Sequence, residues 1–423
     1  MQDAVITSAP PVPAWKRNVF LVLLLAIGIV NYLDRSTLSI ANHGVSSAFS
    51  LDAAQLGALL SVFSWAYAFA QLPAGPLLDR YGTRWILGGG VLLWSIAQVA
   101  SGAVTSFRQM IVARLFLGVG EAPTYPGNAK VIASLYPKEK RGTPIGFATM
   151  SSAVGPLIGP PLLTGLMLGF GWRVMFVAMG VAGAVLSVAW VLVYRRRDRP
   201  LHAAVEDARP LGLREWGGLL RHGSTWGMIF GFMGVIYSIW LYLTWLPAYL
   251  SDARHLSIAT TGFALIVPYL FGALGMLSGG ILGDALSRRM AGLAARKWPV
   301  CVGLLVGGLF TVPAALTSST VLAIACISGS QFFLNMASGG AWTLVSVIAD
   351  ERATASLGSL QNFGGYFGGA FAPLITGFIV DRTGSFVLAL LLSSVIAVVA
   401  AGVYLFAVRK PVHLPPAGGA PAV

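Results

Sequence analysis

Apolar residues fall in long runs, each closed by a short charged or Gly/Pro-rich break, near 18–41, 55–78, 85–104, 109–132, 143–168, 173–194, 225–250, 261–283, 298–316, 320–348, 354–380 and 385–408. A helix that crosses a bilayer needs about 20 apolar residues, because it rises about 1.5 Å per residue through a core about 30 Å thick. The runs have that length, so the pattern predicts an all-α membrane protein with twelve transmembrane helices. Residues 16–30 have the basic-then-apolar look of a secretion signal. The run continues into Asp34 and Arg35 without a small-residue cleavage site, so it reads as a retained first span. The longest break, 195–224, opens with Arg195, Arg196, Arg197, Asp198, Arg199 and Pro200 and divides the spans six and six. The expected layout is a tail over 1–17, a six-helix bundle over 18–194, a linker over 195–224, a second six-helix bundle over 225–408 and a tail over 409–423.

Composition agrees with the pattern. The hydrophobic set supplies 56% of the 423 residues and charged residues only 10%, against roughly 25% charge in a soluble domain. An ordinary soluble enzyme and a disordered chain are both excluded. With the N-terminus placed in the cytoplasm, the loops and ends on that side hold 21 Lys and Arg; the opposite side holds four, Arg108, Arg173, Arg254 and Arg382. This positive-inside bias puts both termini, the linker included, in the cytoplasm. It also accounts for the net charge of +13 without a nucleic-acid partner, which would need clustered Lys and Arg on a soluble surface. Cys301 and Cys326 lie inside apolar runs and make neither a disulfide framework nor a metal site.

The two halves repeat a signature. Gly75, Asp79, Arg80, Gly82 and Arg84 follow the second span, and Gly280, Asp284, Arg288 and Arg289 follow the eighth with the same Gly-to-Asp spacing. Duplicated halves place such a pair at equivalent positions. Asp79 and Asp284 can cap a neighbouring helix and pair with Arg, which makes Asp79, Arg80, Arg84, Asp284 and Arg288 candidate gating residues. A third echo, Gly377, Asp381, Arg382 and Gly384, follows the eleventh span. This duplicated signature in a six-plus-six layout resembles the major facilitator superfamily over residues 15–408. The resemblance implies two six-helix bundles around a central cavity that alternate access by rocking.

Charge inside the spans marks the candidate site. Asp34 and Arg35 lie in span 1, Arg114 and Glu121 in span 4, and Lys130 sits near the cytoplasmic end of span 4, where it can snorkel. A mid-bilayer charge costs a few kcal/mol or more unless it is paired or faces water. Such a cluster is either a structural ion-pair knot or an anion site with proton-coupling acids, and the second reading is favoured. Arg114 and Glu121 are two helical turns apart on one face, so their side chains meet directly or through span 1. Asp34 and Arg35 point about 100° apart; Arg35 is assigned to the cavity and Asp34 to the packing side. All five histidines lie in loops or tails, so any proton is carried by Asp34 and Glu121. No G-x-x-x-x-G-K-[ST], H-E-x-x-H or G-x-S-x-G occurs. No enzyme activity, cofactor or metal is expected.

Asn31-Tyr32-Leu33-Asp34-Arg35 in span 1 and the span 4 string from Arg114 through Gly118, Gly120, Glu121, Pro123, Tyr125 and Pro126 are similar to the anion:cation symporter family. That family includes galactonate, glucarate and hexuronate transporters together with sialin and the vesicular glutamate carriers. Leu243 to Leu250, Trp342 to Ser346 and Asn362 to Gly365 are similar to its sugar-acid members. The resemblance implies proton-coupled symport of a small organic anion by a monomer in a bacterial inner membrane. By the same resemblance, Arg35 grips the substrate carboxylate, Asp34 and Glu121 take up protons, and Arg114 pairs with Glu121. Tyr32, Tyr67, Ser152, Ser338, Trp342, Asn362 and Tyr366 complete the cavity; helix packing is the alternative for the aromatics, and a helix-helix hydrogen bond for Asn362 and Gln361. Two departures weigh against a hexonate: Ser152 stands where the galactonate type is expected to have Gln, and Gly339, Gly340 and Ala341 precede Trp342 where hydroxyl side chains are expected. Gly155, Pro156, Gly159, Pro160 and Pro161 resemble the span 5 signature of drug and sugar efflux antiporters, which supplies the alternative function.

Overall fold

The computed structural model describes residues 12–136, 142–194, 213–290, 292–348 and 351–412. The chain forms α1 (Ala14–Ile40), α2 (Asn42–Phe49), α3 (Ala53–Tyr81), α4 (Thr83–Ala103), α5 (Phe107–Glu121), α6 (Thr124–Leu135), α7 (Gly142–Thr149), α8 (Ser151–Val193) and α9 (Leu213–Leu219). It continues with α10 (Gly223–Ala248), a π-helical turn (Tyr249–Ala253), α11 (Ile258–Ala264), α12 (Ile266–Ser287), α13 (Gly292–Leu316), α14 (Thr320–Ile348), α15 (Glu351–Gly369), α16 (Phe371–Thr383) and α17 (Val387–Ala407). Local chemistry fixes several ends. Asp52 accepts from the Gln55 backbone while the Gln55 side chain returns to Asp52, a capping box that starts α3. Gly384, at φ 64°, closes α16 in the left-handed region.

Among the described residues, ten helices are long and apolar enough to cross a membrane. The predicted spans over 143–168 and 173–194 follow one another without a loop inside Phe147–Val193, as helical segments that meet at Gly171, whose φ of 82° and ψ of 162° are not helical. The predicted span over 109–132 is broken into α5 and α6, of 15 and 12 residues, where Pro123 and Pro126 each lack the N–H that would bond four residues back. The expected linker is part helix: α9 lies inside it, and 195–212 fall outside the described residues.

Lipid is as apolar as leucine, so spanning helices are held together by close contact rather than by expulsion of apolar surface from water. The large side chains left outside agree: Val321, Ile281, Leu277 and Phe406 are exposed, a surface suited to acyl chains. Helix α8 packs on α1 and α4, and α5 on α3 and α4; further along, α10 packs on α15 and α17, α13 on α14 and α17, and α12 on α14. Helices from before residue 195 meet those after 212 along a seam where α3 lies on α15 and α16, α8 on α11 and α12, and α1 on α10.

One end of this seam is closed. A Cβ on Gly57 of α3 would sit 2.5 Å from the Pro373 carbonyl oxygen and 3.0 Å from Gly377 Cα, and one on Gly377 would run into the Ala53 carbonyl. Only paired glycines let these two backbones cross so tightly. Nearby, Ser39 Oγ lies 3.0 Å from the Leu243 carbonyl and donates to the Thr244 carbonyl at 2.7 Å. At the rim, His43 Nε2 meets Asp252 Oδ1 at 2.7 Å and Ser251 Oγ at 2.9 Å.

Two outcomes follow for this closure. A bulky residue at the crossing should force the end open. In protein with Cys301 and Cys326 replaced by Ser, a Ser39→Cys thiol, buried in this state, should react much faster with a water-soluble maleimide when Gly57→Trp is added. Equal labelling rates would remove the glycine crossing as the seal. The rim pair should add a pH dependence. The hydrogen bond to Asp252 raises the His43 pKa above its ordinary 6.5, so the ion pair is present below that value and fades as pH rises through the raised one. Both side chains are about half exposed, which limits the pair to under about 1 kcal/mol. Labelling at Ser39→Cys should therefore rise modestly from about pH 6 to about pH 8, and His43→Gln should flatten that rise; an unaltered slope assigns it elsewhere.

Candidate functional site

Span 4 reaches the middle of the fold because its glycines let it lie against two neighbours. A Cβ at Gly118 would fall 2.6 Å from the Phe63 carbonyl oxygen of α3, and one at Gly120 would fall 2.7 Å from the Trp94 backbone nitrogen of α4. The next residue is Glu121, the last of α5, and it is fully buried. Its carboxylate Oε2 accepts from Arg35 Nε at 2.9 Å, with the Arg35 side chain 1% exposed.

Arg35 is the hub of the site. Nη1 donates to the Tyr366 hydroxyl across the seam at 3.2 Å. The guanidinium carbon lies 4.7 Å from the Tyr67 ring centre, 5.1 Å from Tyr32, 5.3 Å from Phe63 and 5.8 Å from Tyr366. Tyr67 and Tyr366 are 4.6 Å apart, and Trp240 of α10 closes the box against Phe63 and Tyr366. Ring faces stabilise a desolvated cation by about 0.5–2 kcal/mol each. Three atoms stay without a hydrogen-bond partner: Arg35 Nη2, Glu121 Oε1 and the Tyr67 hydroxyl. A guanidinium with a free N–H edge, in a dry aromatic box, suits a planar anion such as a carboxylate.

Asp34 turns away from this box, as the 100° step along a helix requires. Its carboxylate faces Arg114, Gln98 and Trp94, and neither oxygen has a hydrogen-bond partner. Thr37, one turn on, ties the cluster together. It accepts from Gln98 Nε2 at 2.9 Å and Arg114 Nη2 at 3.2 Å, and donates to the Asp34 carbonyl at 2.7 Å. Arg114 also lies 5.1 Å from the Phe176 ring centre. Span 1 thus carries two buried charge sites on two faces.

The hydrogen bond of Glu121 goes to Arg35 of α1, while Arg114 acts on Glu121 as a neighbouring charge. Of the other expected site residues, Tyr32, Tyr67 and Tyr366 gather on Arg35. Asn362 Nδ2 donates to Gln71 Oε1 across the seam at 3.0 Å. Ser152 Oγ donates to the Thr149 carbonyl at the end of α7, Ser338 is buried in α14, and Trp342 lies edge-on to Phe232 with 42% exposure. No described contact joins these three to Arg35.

Among the gating candidates, the Asp79 side chain lies outside the described residues. Arg80 lies over Tyr81, and Arg84 Nε donates to the Val191 carbonyl at 3.0 Å. Asp284 pairs with Arg296 of α13 and not with Arg288, which is exposed at the end of α12. The sequence reading missed Phe63, Trp240, Thr37, Gln98 and Gln71. Two of these had a signal: Phe63 and Gln71 each lie four residues from Tyr67, on the same helix face.

Comparison with known proteins adds an independent line. Residues 24–373 match the family described as Major Facilitator Superfamily. A protein of Escherichia coli named "Probable L-galactonate transporter" is 43% identical over 409 residues, covering 93% of this chain and 90% of the relative. "Probable galactarate/D-glucarate transporter GudP" of Bacillus subtilis is 33% identical over 408 residues, covering 88% and 89%. In fold, the chain superposes with a TM-score of 0.82 on a bacterial homologue of the human lysosomal transporter Spinster, at 20% identity, over 96% of this chain and 100% of that one.

The buried pair makes a stability prediction. Removing one partner of a buried ion pair strands the other and costs about 3–5 kcal/mol. Arg35→Ala should lower the melting temperature of the detergent-solubilised protein at neutral pH, and adding Glu121→Gln should recover most of the loss. A double variant no more stable than Arg35→Ala would mean that the two groups are not energetically coupled.

Proposed function

The chain belongs to the Major Facilitator Superfamily, and from that premise we propose that it is a proton-coupled symporter that takes up a sugar acid by alternating access. The names of the relatives, transporters of galactonate and of galactarate or glucarate, supply the substrate class. The observation that carries the proposal is the single guanidinium shared between a buried carboxylate and the seam: Arg35 holds Glu121 with Nε, meets Tyr366 with Nη1 and keeps Nη2 free.

The topology proposed is twelve crossings in two six-helix halves, 18–194 and 225–408, joined by 195–224, with both ends in the cytoplasm. At about 1.5 Å per residue the 47-residue run Phe147–Val193 is about 70 Å long, twice the hydrocarbon thickness, which supports two crossings joined at Gly171. The broken pair α5 and α6 together has the length of one. The 21-to-four distribution of Lys and Arg supports cytoplasmic ends; the end closed by Gly57 and Ser39 then faces outward. Asp79, Arg80, Arg84, Asp284 and Arg288 are retained as gating residues at the other end, with Arg296 added as the partner of Asp284. A bacterial inner membrane and a monomer complete the reading.

The mechanism follows from competition for Arg35. While Glu121 is ionised it occupies the guanidinium. Protonation removes that claim and leaves two N–H edges for a substrate carboxylate, which a planar fork binds in parallel. An anion seated there also meets Tyr366, so it touches both halves and is sensed by their relative position. Asp34, beside Arg114, is the second candidate proton carrier. An efflux antiporter for cationic drugs is disfavoured by the buried Arg35. Gly155 of the efflux-like string is accounted for by packing, since a Cβ there would strike Tyr32.

The test is uptake of labelled L-galactonate and D-glucarate into proteoliposomes under an inward proton gradient, beside counterflow without a gradient. The wild type should accumulate substrate uphill. Glu121→Gln, a permanent mimic of the protonated acid, should lose accumulation and keep counterflow, whereas Arg35→Ala should lose both. Full accumulation by Glu121→Gln would hand coupling to Asp34 alone, and normal counterflow by Arg35→Ala would end the assignment of the carboxylate grip.

A further inference from the structure

Below the aromatic box lies a second rung across the seam. Tyr67 and Gln71 are four residues apart on α3, and Asn362 and Tyr366 are four apart on α15, so each pair shares a helix face. Tyr67 stacks near Tyr366 at 4.6 Å, and Gln71 Oε1 accepts from Asn362 Nδ2 at 3.0 Å. The amide rung therefore sits one helical turn, about 6 Å, from the tyrosine rung that surrounds Arg35. It lies on the side away from the closed end, since α3 enters at Gly57 and reaches Gln71 after Tyr67. Unlike Tyr67, which is fully buried, Gln71 and Asn362 are only half-buried.

The rung has hydrogen-bonding capacity left over. The one bond engages a single Asn362 hydrogen and a single Gln71 oxygen lone pair. Both Gln71 Nε2 hydrogens and the Asn362 carbonyl remain, a mix of donors and an acceptor with no charge. Such a mix matches hydroxyl groups, which donate and accept. Being uncharged, the rung itself offers a second carboxylate no counter-ion. With carbon–carbon bonds of about 1.5 Å, the extended chain of a six-carbon acid covers roughly the distance from Arg35 to this rung.

We infer that Gln71, held by Asn362, reads the hydroxylated tail of a substrate whose carboxylate is on Arg35, so that the site selects polyhydroxy monocarboxylates over dicarboxylates and short acids. This rests on the Arg35 assignment above. It also answers the deficit of hydroxyl partners at Ser152 and at Gly339 to Ala341: tail recognition is carried by α3 and α15 at the seam rather than by α8 and α14. Gln71 is a specificity-determining residue in this account: its spacing from Tyr67 puts it on the same helix face, and the fold sets it across from Asn362.

The experiment is equilibrium binding to the purified full-length protein of three acids, L-galactonate, D-glucarate and L-lactate, for the wild type, Gln71→Leu and Gln71→Lys. The wild type should bind L-galactonate the tightest. Gln71→Leu should weaken L-galactonate by about tenfold, the worth of one or two hydrogen bonds, and leave lactate within about a factor of two. Gln71→Lys should turn the preference toward D-glucarate by supplying the missing cation, a gain that misfolding cannot imitate. If the galactonate-to-lactate ratio of Gln71→Leu equals that of the wild type and Gln71→Lys gains nothing for glucarate, the rung is only a tie between helices and the inference is overturned. Failure of the wild type to bind any of the three acids would overturn the Arg35 reading itself, a result distinct from an unchanged ratio.

Discussion

The structure turns on one buried guanidinium. Taking Arg35 out of water is affordable only because Glu121 meets it at 2.9 Å and four aromatic rings cover it; without such partners an ion in a low-dielectric interior is costly by several kcal/mol. Every constraint around it can be traced outward from that need. Glu121 is at the right depth because Gly118 and Gly120 bring α5 onto the backbones of α3 and α4. Tyr366 is in reach because α3 and α15 lie together at the seam. The interaction that neutralises the cation therefore also fixes where two groups of helices touch.

A second consequence is the division of labour along span 1. Neighbouring residues on a helix point about 100° apart, so Asp34 and Arg35 meet different immediate partners, while Glu121 and Arg114 connect the two sides electrostatically. Arg35 faces the seam, where geometry changes if the two sides move. Asp34 faces α4 and α5, where Thr37, Gln98 and Arg114 form a bonded cluster inside one group of packed helices.

Much of this was legible in the sequence, and the failures are instructive. The apolar runs located the helices, since length and hydropathy are properties of single segments. The helical step separated Asp34 from Arg35, and the rings of Tyr32, Tyr67 and Tyr366 lie around Arg35. The partner of Glu121 was not legible. Arg114 is the nearer in sequence and shares its helix face, but the hydrogen bond goes to Arg35 of another helix, a neighbour that no periodicity within span 4 encodes. The same holds for Asp284, whose partner Arg296 comes from the following helix, and for Trp240, one of twelve tryptophans in a chain where most aromatic side chains would pass for packing. Helix continuity was overstated inside several runs: 109–132 breaks at Ala122 and Pro123, 143–168 at Met150, 261–283 at Leu265 and 354–380 at Ala370.

The shared guanidinium also imposes a rule about electrical charge. In the proposed cycle, the empty carrier with ionised Glu121 and the loaded carrier with protonated Glu121 and a bound carboxylate both leave Arg35 neutralised by one negative group. The two mixed forms do not: anion with ionised Glu121 has a surplus negative charge, and protonated Glu121 without anion has a bare cation. A dry box surrounded by lipid penalises both surpluses. Rocking is then cheap only for the two balanced forms, so slippage of proton or anion alone is suppressed by electrostatics rather than by a dedicated lock. At this centre both permitted movements carry no net charge, so symport of a monocarboxylate with one proton on Glu121 alone would be driven by the pH difference and indifferent to the membrane voltage.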